Sequence, residues 1–231
     1  MHSATLTPLA GAHDHAARYL RTVHALEAAA LAAQKTISIQ IAPADLTALQ
    51  RAGYRLCVAK KIAGHDYNVA WNTWGDYFAN NMFSWTPQYQ LFASAHFQEG
   101  AAVDVTTNVV SIGLGETSLL DQDGMLFEPS AHGRENAITL VNDFNPMHPG
   151  LMQLARGLDG RMCSRPVYVS PTPVLGGAAE LTPVERVLVW FERHLETGTQ
   201  FSKPRNNCVE IDLTWSNAQA RRFEDGKWRQ I

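Results

Sequence analysis

Short segments in which apolar and polar residues alternate, separated by turn residues, recur along most of this chain and constrain its fold. Residues 37–41 and 208–213 alternate in this way. Residues 187–191 are apolar at every position, which is typical of a central strand that is covered on both faces. About ten such segments at hairpin spacing predict a mainly β fold, an antiparallel β-sandwich or flattened barrel with an N-terminal α-helix.

The last of these segments form the clearest local prediction. The Asp-Gly pair at 225–226 supplies the two positive-φ residues that a two-residue hairpin turn requires. This turn places Glu224 opposite Lys227 and Phe223 opposite Trp228. One pair is complementary in charge and the other is aromatic, so both favour the same strand register.

Two segments have helical rather than strand character. Residues 12–35 are rich in Ala and Leu at helical spacing, and we expect a helical appendage at 1–35, followed by one β domain at 36–231. The Ala-rich stripe also predicts self-association through this helix, giving a homo-oligomer. A short helix is predicted at 45–52, with Asp45 as its N-cap and Gly53 just beyond its end.

Proline and glycine mark the turns and loops. A turn at 63–66 is predicted to join strands at 54–62 and 67–71. Residues 142–173 contain five prolines and few regular signals, and they are predicted to form a long loop. Long loops in compact domains are often functional, so this region is a place to look for a site.

Charge and composition exclude several classes of function. The 231 residues carry a formal net charge of −3 without a dense Lys/Arg block, so nucleic acid is not an expected partner. No apolar run approaches the roughly 20 residues that cross a bilayer, and residues 1–11 do not resemble a secretory signal. Three widely spaced cysteines form no CxxC pair, which favours a reduced, cytoplasmic setting without a membrane partner.

Aromatic residues are concentrated in one region. Of six Trp, six Tyr and nine Phe, ten lie between Tyr67 and Phe97, with asparagines between them. Flat rings with one polar tip suit a sugar ring, a choline headgroup or a planar metabolite, although core packing explains the same residues. The candidate ligand contacts are Trp71, Trp74, Tyr77, Trp85 and Tyr89.

Histidines provide the candidates for catalysis. His148 lies between two prolines near Asp143, and a stiff histidine beside a carboxylate is suited to general acid/base work. His96 beside Glu99 is a weaker pair of the same kind. The His-Asp-His run at 13–15 does not share one helical face, so we expect no metal site. The full GxGxxG and GxxxxGK[ST] patterns are absent, and no cofactor is expected.

Three functions remain open from the sequence. The first is a ligand-binding module, lectin-like in the broad sense, with an aromatic-lined pocket for a small molecule or carbohydrate. The second is a cofactor-independent isomerase, cyclase or hydrolase in which His148 or His96 moves a proton. The third is a membrane-active sandwich protein whose N-terminal helix detaches. The low cation content of that helix weakens this third reading.

Overall fold

A computed structural model describes residues 34–203 and 205–231 of the chain. The helix predicted at 12–35 falls almost wholly outside this part of the chain, and Lys35 begins the first strand. The His-Asp-His run at 13–15 also lies outside the described residues.

The described residues form a mainly β structure with a single helix, α1, at Pro43–Arg51. The strands are β1 (Lys35–Ile41), β2 (Tyr54–Ile62), β3 (Asn72–Trp74), β4 (Asn80–Ser94), β5 (Val110–Ile112), β6 (Thr117–Leu120), β7 (Ile138–Asn142), β8 (His148–Arg156), β9 (Met162–Val169), β10 (Gly177–Leu181), β11 (Pro183–Arg193), β12 (Val209–Asp212), β13 (Ala218–Glu224) and β14 (Lys227–Gln230).

These strands are arranged in three sheets. The large sheet has the order β14-β13-β1-β4-β8-β9, with β5 paired to β4. A four-stranded sheet has the order β12-β11-β2-β3, and a three-stranded sheet has the order β10-β7-β6. In each of the three sheets the first and last strands of the order are different and do not pair with each other, so no sheet closes into a barrel. The flattened barrel, one of the two architectures predicted from the sequence, is therefore wrong.

Most strand pairs are antiparallel, as the hairpin spacing predicts, but two are parallel. β1 pairs in parallel with β13, with Thr36 opposite Ala218, and β6 pairs in parallel with β7. β11 lies between β12 and β2, and its residues 187–190 are buried, which confirms the central strand predicted at 187–191. The predicted strand at 54–62 is also confirmed, as β2.

The C-terminal hairpin has the predicted register. Glu224 pairs with Lys227 and Phe223 with Trp228, and the turn residues have φ of 54° at Asp225 and 69° at Gly226. The carboxylate of Asp45 accepts hydrogen bonds from both turn amides, at 2.9 Å from Asp225 and 3.1 Å from Gly226.

The role predicted for Asp45 in helix α1 is therefore wrong. The N-cap is Ala42, with no side-chain cap, and Pro43 occupies the first turn, where its missing N–H costs nothing. The predicted helix end is confirmed, because Gly53 follows Ala52 with φ of 72°.

Two loop and strand predictions are also wrong. Residues 142–173 contain the long strands β8 and β9 rather than one loop. Residues 67–71 are not a strand, although Val69 forms an isolated bridge with Gln200. The partner of β2 is the following segment, β3.

The main core draws buried side chains from all three sheets. Beside the core residue Trp85, an ion pair joins the fully buried Lys60 of β2 to Glu185 of β11, whose side chain is 22% exposed. Lys60 Nζ lies 2.8 Å from Glu185 Oε2, and the Lys60 side chain is 0% exposed. Trp85 of the large sheet donates its Nε1 hydrogen to the same carboxylate at 2.8 Å. Burial lowers the pKa of Lys60 to about 8, against the opposing effect of Glu185. Burial alone raises the pKa of Glu185, but the Lys60 ammonium holds it below its ordinary value.

Within the described part of the chain, no helix has the length and apolar character needed to cross a membrane.

Candidate functional site

A cleft of about 650 Å³ opens where one edge of the four-stranded sheet meets one edge of the large sheet. β3 is the end strand of the first sheet and β9 is the end strand of the second. Arg165 on β9 donates from Nη1 to Oδ1 of Asn72 on β3 at 2.6 Å. This hydrogen bond joins the two sheet edges and holds the Arg165 guanidinium at the cleft wall.

Aromatic side chains form part of the wall of this cleft. Trp74 is half-buried, and Phe78 is 65% exposed. The Trp74 ring packs edge-on against Phe83, with centroids 5.2 Å apart. Phe83 in turn contacts Trp71 and Trp85 in the core. A continuous set of rings therefore supports Trp74 from behind and fixes its orientation at the cleft.

The other predicted ligand contacts lie away from this cleft. Trp71, Tyr77 and Trp85 are at most 1% exposed. Tyr77 donates its hydroxyl hydrogen to the carbonyl of Tyr54 at 3.1 Å. Tyr89 is buried and lines a separate cleft of about 520 Å³. Of the five aromatic residues singled out in the sequence, the structure brings only Trp74 to the 650 Å³ cleft.

The three candidate catalytic residues also lie away from the cleft. His148 is the first residue of β8, opposite Ser94 of β4, rather than part of a loop. Its Nδ1 lies 2.8 Å from the carbonyl oxygen of Ser170. Asp143 and His96 are exposed, after the ends of β7 and β4.

Three of the five charged residues that line the cleft form ion pairs. Arg55 lies 3.1 Å from Glu196, and Arg161 lies 3.9 Å from Asp159. Arg165 is different, because no carboxylate of the described residues lies within ion-pairing distance of its guanidinium. The only side chain to which it donates is the neutral amide of Asn72. The cleft therefore contains a half-buried cation that is paired with no carboxylate of the described residues, and one exposed carboxylate, that of Asp76, which forms no ion pair with them either.

Sequence reasoning did not find Arg165. It lies within 142–173, where the prolines predict a loop, and it directly precedes Pro166. Alternation of Cys163, Arg165 and Val167 with their neighbours is too irregular to indicate a strand.

The described residues contain no group of three or more His, Cys, Asp or Glu side chains placed to hold a metal ion. The charged and aromatic side chains of the cleft are its three arginines, its two exposed aspartates, Asp76 and Asp159, and the rings of Trp74 and Phe78.

Comparison of the chain with protein-family models, with curated proteins and with solved structures finds no match.

Proposed function

We propose that this protein binds a small metabolite that carries an anionic group, a phosphate or a carboxylate, beside a ring or other flat apolar face. The cleft between β3 and β9 is the binding site. We further infer that the large and four-stranded sheets face each other as the layers of a sandwich. The shared core and the hydrogen bond from Trp85 to Glu185 across the two sheets support this arrangement.

The observation that carries the proposal is the unpaired guanidinium of Arg165. An arginine presents its N–H donors in a planar fork that matches carboxylate and phosphate oxygens. Asn72 holds one of these donors at 2.6 Å, so the side chain is already ordered. A ligand anion would supply the missing counter-charge without paying to immobilise the arginine.

Trp74 supports the part of the proposal that concerns the ring or flat apolar face of the ligand. Its ring is held by Phe83 and lines the same cleft as Arg165. A flat ring beside a fixed cation suits a ligand in which an apolar face adjoins the anion. The volume of about 650 Å³ lies within the range of small-molecule sites.

Calorimetric titration tests the proposal. Phenyl phosphate is the ring-bearing anionic probe, and benzyl alcohol is its neutral counterpart. Glucose 6-phosphate and phosphocholine then distinguish a sugar phosphate from a headgroup as the natural source of the anion. We expect phosphate-bearing probes to bind, with affinity that falls as salt is added, and the neutral probe not to bind.

Two variants assign the binding to the cleft. Arg165→Gln is expected to weaken phenyl phosphate binding by about ten- to hundredfold, because a charge-assisted hydrogen bond is lost. Arg229→Gln is the matched control, since Arg229 lies on β14 at the opposite edge of the large sheet. Equal affinity for neutral and anionic probes, no binding by any phosphate probe, or unchanged binding by Arg165→Gln would each reject the proposal.

A further inference from the structure

The cleft between β3 and β9, the first cleft, is lined by two unpaired charges of opposite sign. Arg165 is half-buried and Asp76 is exposed, so solvent reaches both residues. Neither forms an ion pair with the described residues. A ligand that carries only an anion supplies a counter-charge for Arg165, but it brings a like charge into the cleft that Asp76 lines.

The two charges lie on either side of Trp74 along one wall of the cleft. Asn72, which holds the Arg165 guanidinium at 2.6 Å, is the first residue of β3, and Trp74 is the last. Asp76 is the second residue after the strand. Four residues of extended chain span at most about 14 Å, which limits the distance between the Cα atoms of Asn72 and Asp76. One small ligand can therefore span both charges, and it passes Trp74 on the way.

The cleft continues beyond Asp76. A second cleft, of about 440 Å³, shares Arg55, Gly75 and Asp76 with the first. The cation common to both, Arg55, is already paired with Glu196 at 3.1 Å. His194 also lines the second cleft, and it forms no ion pair with the described residues. The Asp76 carboxylate is therefore the uncompensated charge at the junction of the two clefts.

No local contact within the described residues engages the Asp76 side chain. The other aspartate of the first cleft, Asp159, accepts a hydrogen bond from the Arg161 amide at 3.1 Å and is also paired with the Arg161 guanidinium. Asp76 has neither kind of partner among the described residues. Its carboxylate is therefore open to a donor that a ligand brings.

We propose that the ligand of the first cleft is zwitterionic, with an anionic group on Arg165, a flat face beside Trp74 and a protonated amine at Asp76. This inference rests on the function proposed above and narrows its ligand to a phosphate or carboxylate that also carries an amine. An ammonium group offers three donors and a full positive charge to a carboxylate. Opposite charges on the ligand then match opposite charges on the wall, which gives specificity against simple anions.

Calorimetric titration of the full chain with two matched probes tests this inference. O-Phosphotyramine carries a phosphate, a ring and an aminoethyl arm. In 4-propylphenyl phosphate a methyl group replaces the amine of that arm. At an ionic strength of about 10 mM, where screening is weak, we expect O-phosphotyramine to bind about three- to fivefold more tightly. Added salt should reduce this ratio of affinities.

Asp76→Asn assigns the preference to one residue. The variant should bring the affinity ratio of the two probes close to one, because O-phosphotyramine loses its ion pair and 4-propylphenyl phosphate loses a repulsion. The substitution is at an exposed position, so it leaves the core intact. Asp123→Asn is the matched control, an exposed aspartate outside both clefts, and it should keep the wild-type ratio.

Equal or weaker binding of O-phosphotyramine by the wild type overturns the inference, and so does a preference that survives Asp76→Asn. In either case the function proposed for Arg165 stands if 4-propylphenyl phosphate binds and Arg165→Gln weakens that binding. Binding of neither phosphate rejects that function, and the zwitterionic ligand with it.

Discussion

Lys60 Nζ lies 2.8 Å from Glu185 Oε2, and this ion pair is built into the core by an irregularity in β11. The pairing of β11 with β2 shifts register between Pro183 and Val187, and Glu185 lies within that interval. A bulge re-aims the side chains of the strand that contains it. The irregular pairing of β11 with β2 therefore positions Glu185 against Lys60. The contribution of this ion pair to the free energy of unfolding can be measured with variants of either residue.

Removing one member of the pair should destabilise the fold strongly. Glu185→Gln leaves the buried Lys60 ammonium without its counter-charge, and we expect a loss of about 3–5 kcal/mol in the free energy of unfolding. Urea denaturation followed by tryptophan fluorescence measures it. The control is Glu180→Gln, which breaks the exposed pair with Arg134 and should cost less than about 1 kcal/mol. Equal losses in the two variants would contradict this expectation.

The depressed pKa of Lys60 makes a specific prediction about alkaline pH. Between about 8 and 10.5, the unfolded chain keeps a proton on this lysine that the folded chain has released. Stability rises with pH wherever the unfolded state binds more protons, so Lys60 contributes an increase across this window. Lys60→Met removes that contribution. The difference in unfolding free energy, wild type minus variant, should grow as the pH rises through the window. A constant or shrinking difference would show that Lys60 is not depressed.

Gly150 on β8 is predicted to tolerate no side chain. It pairs with Phe92 of β4, and a Cβ built on Gly150 would collide with the Phe92 ring. Gly150→Ala should lower the free energy of unfolding by about 1–3 kcal/mol through overpacking. Gly176→Ala is the control, since a Cβ there meets nothing within 4 Å. In a Phe92→Leu background the cost of Gly150→Ala should fall, and a fully additive double variant would contradict the assigned contact.

Asp45 should stabilise the C-terminal hairpin from a distant part of the sequence. Asp45→Ala removes the acceptor for the amides of Asp225 and Gly226, and we expect a loss of about 1 kcal/mol. Hydrogen exchange of those two amides should accelerate in the variant. Asp123→Ala, at another exposed turn, should leave their exchange unchanged.

Asp76 should oppose anion binding in the first cleft. It lines the cleft, is exposed and forms no ion pair with the described residues. Asp76→Asn removes a like charge, so the affinity for phenyl phosphate should rise by about threefold. Isothermal titration measures it, with Asp123→Asn as the control. A lower affinity in Asp76→Asn would mean that the probe does not occupy the cleft.

Local sequence signals predicted some parts of this fold well. The Asp-Gly turn fixed the register of Phe223 and Trp228, because a two-residue turn leaves no freedom in pairing. Unbroken apolar character placed residues 187–191 in a central strand. The parallel pairing of β1 with β13 could not be predicted from the sequence, because the two segments are far apart along the chain and no turn between them sets their register.

The prolines of residues 142–173 predict a loop where the structure has strands β8 and β9, and the positions of these prolines explain the difference. Pro166 lies in β9, an edge strand, where the pairing with β8 is irregular between Leu151 and Met152. Pro149 is the second residue of β8. Edges, bulges and strand starts are the positions at which a sheet tolerates a missing N–H. The sequence alone does not distinguish these strand positions from loops, so it does not indicate that Arg165 lies on a strand.

The concentration of rings between Tyr67 and Phe97 is visible in the sequence, but which of them lie in the core and which reach the surface depends on the fold. Trp71 and Trp85 are buried, whereas Trp74 lies on β3, the end strand of its sheet, and reaches the cleft. Edge position, rather than residue type, separates Trp74 from the others.

The place of β1 in the large sheet has a consequence for synthesis of the chain. β1 lies between β4 and β13, so one of its edges stays unpaired until a strand much later in the sequence has been synthesised. During that interval the apolar residues Ile37, Ile39 and Ile41 border an unpaired edge, which is a site for association with other chains. The pairing of β13 covers this edge, so we expect a chain truncated before Ala218 to associate with other chains more readily than the full chain does.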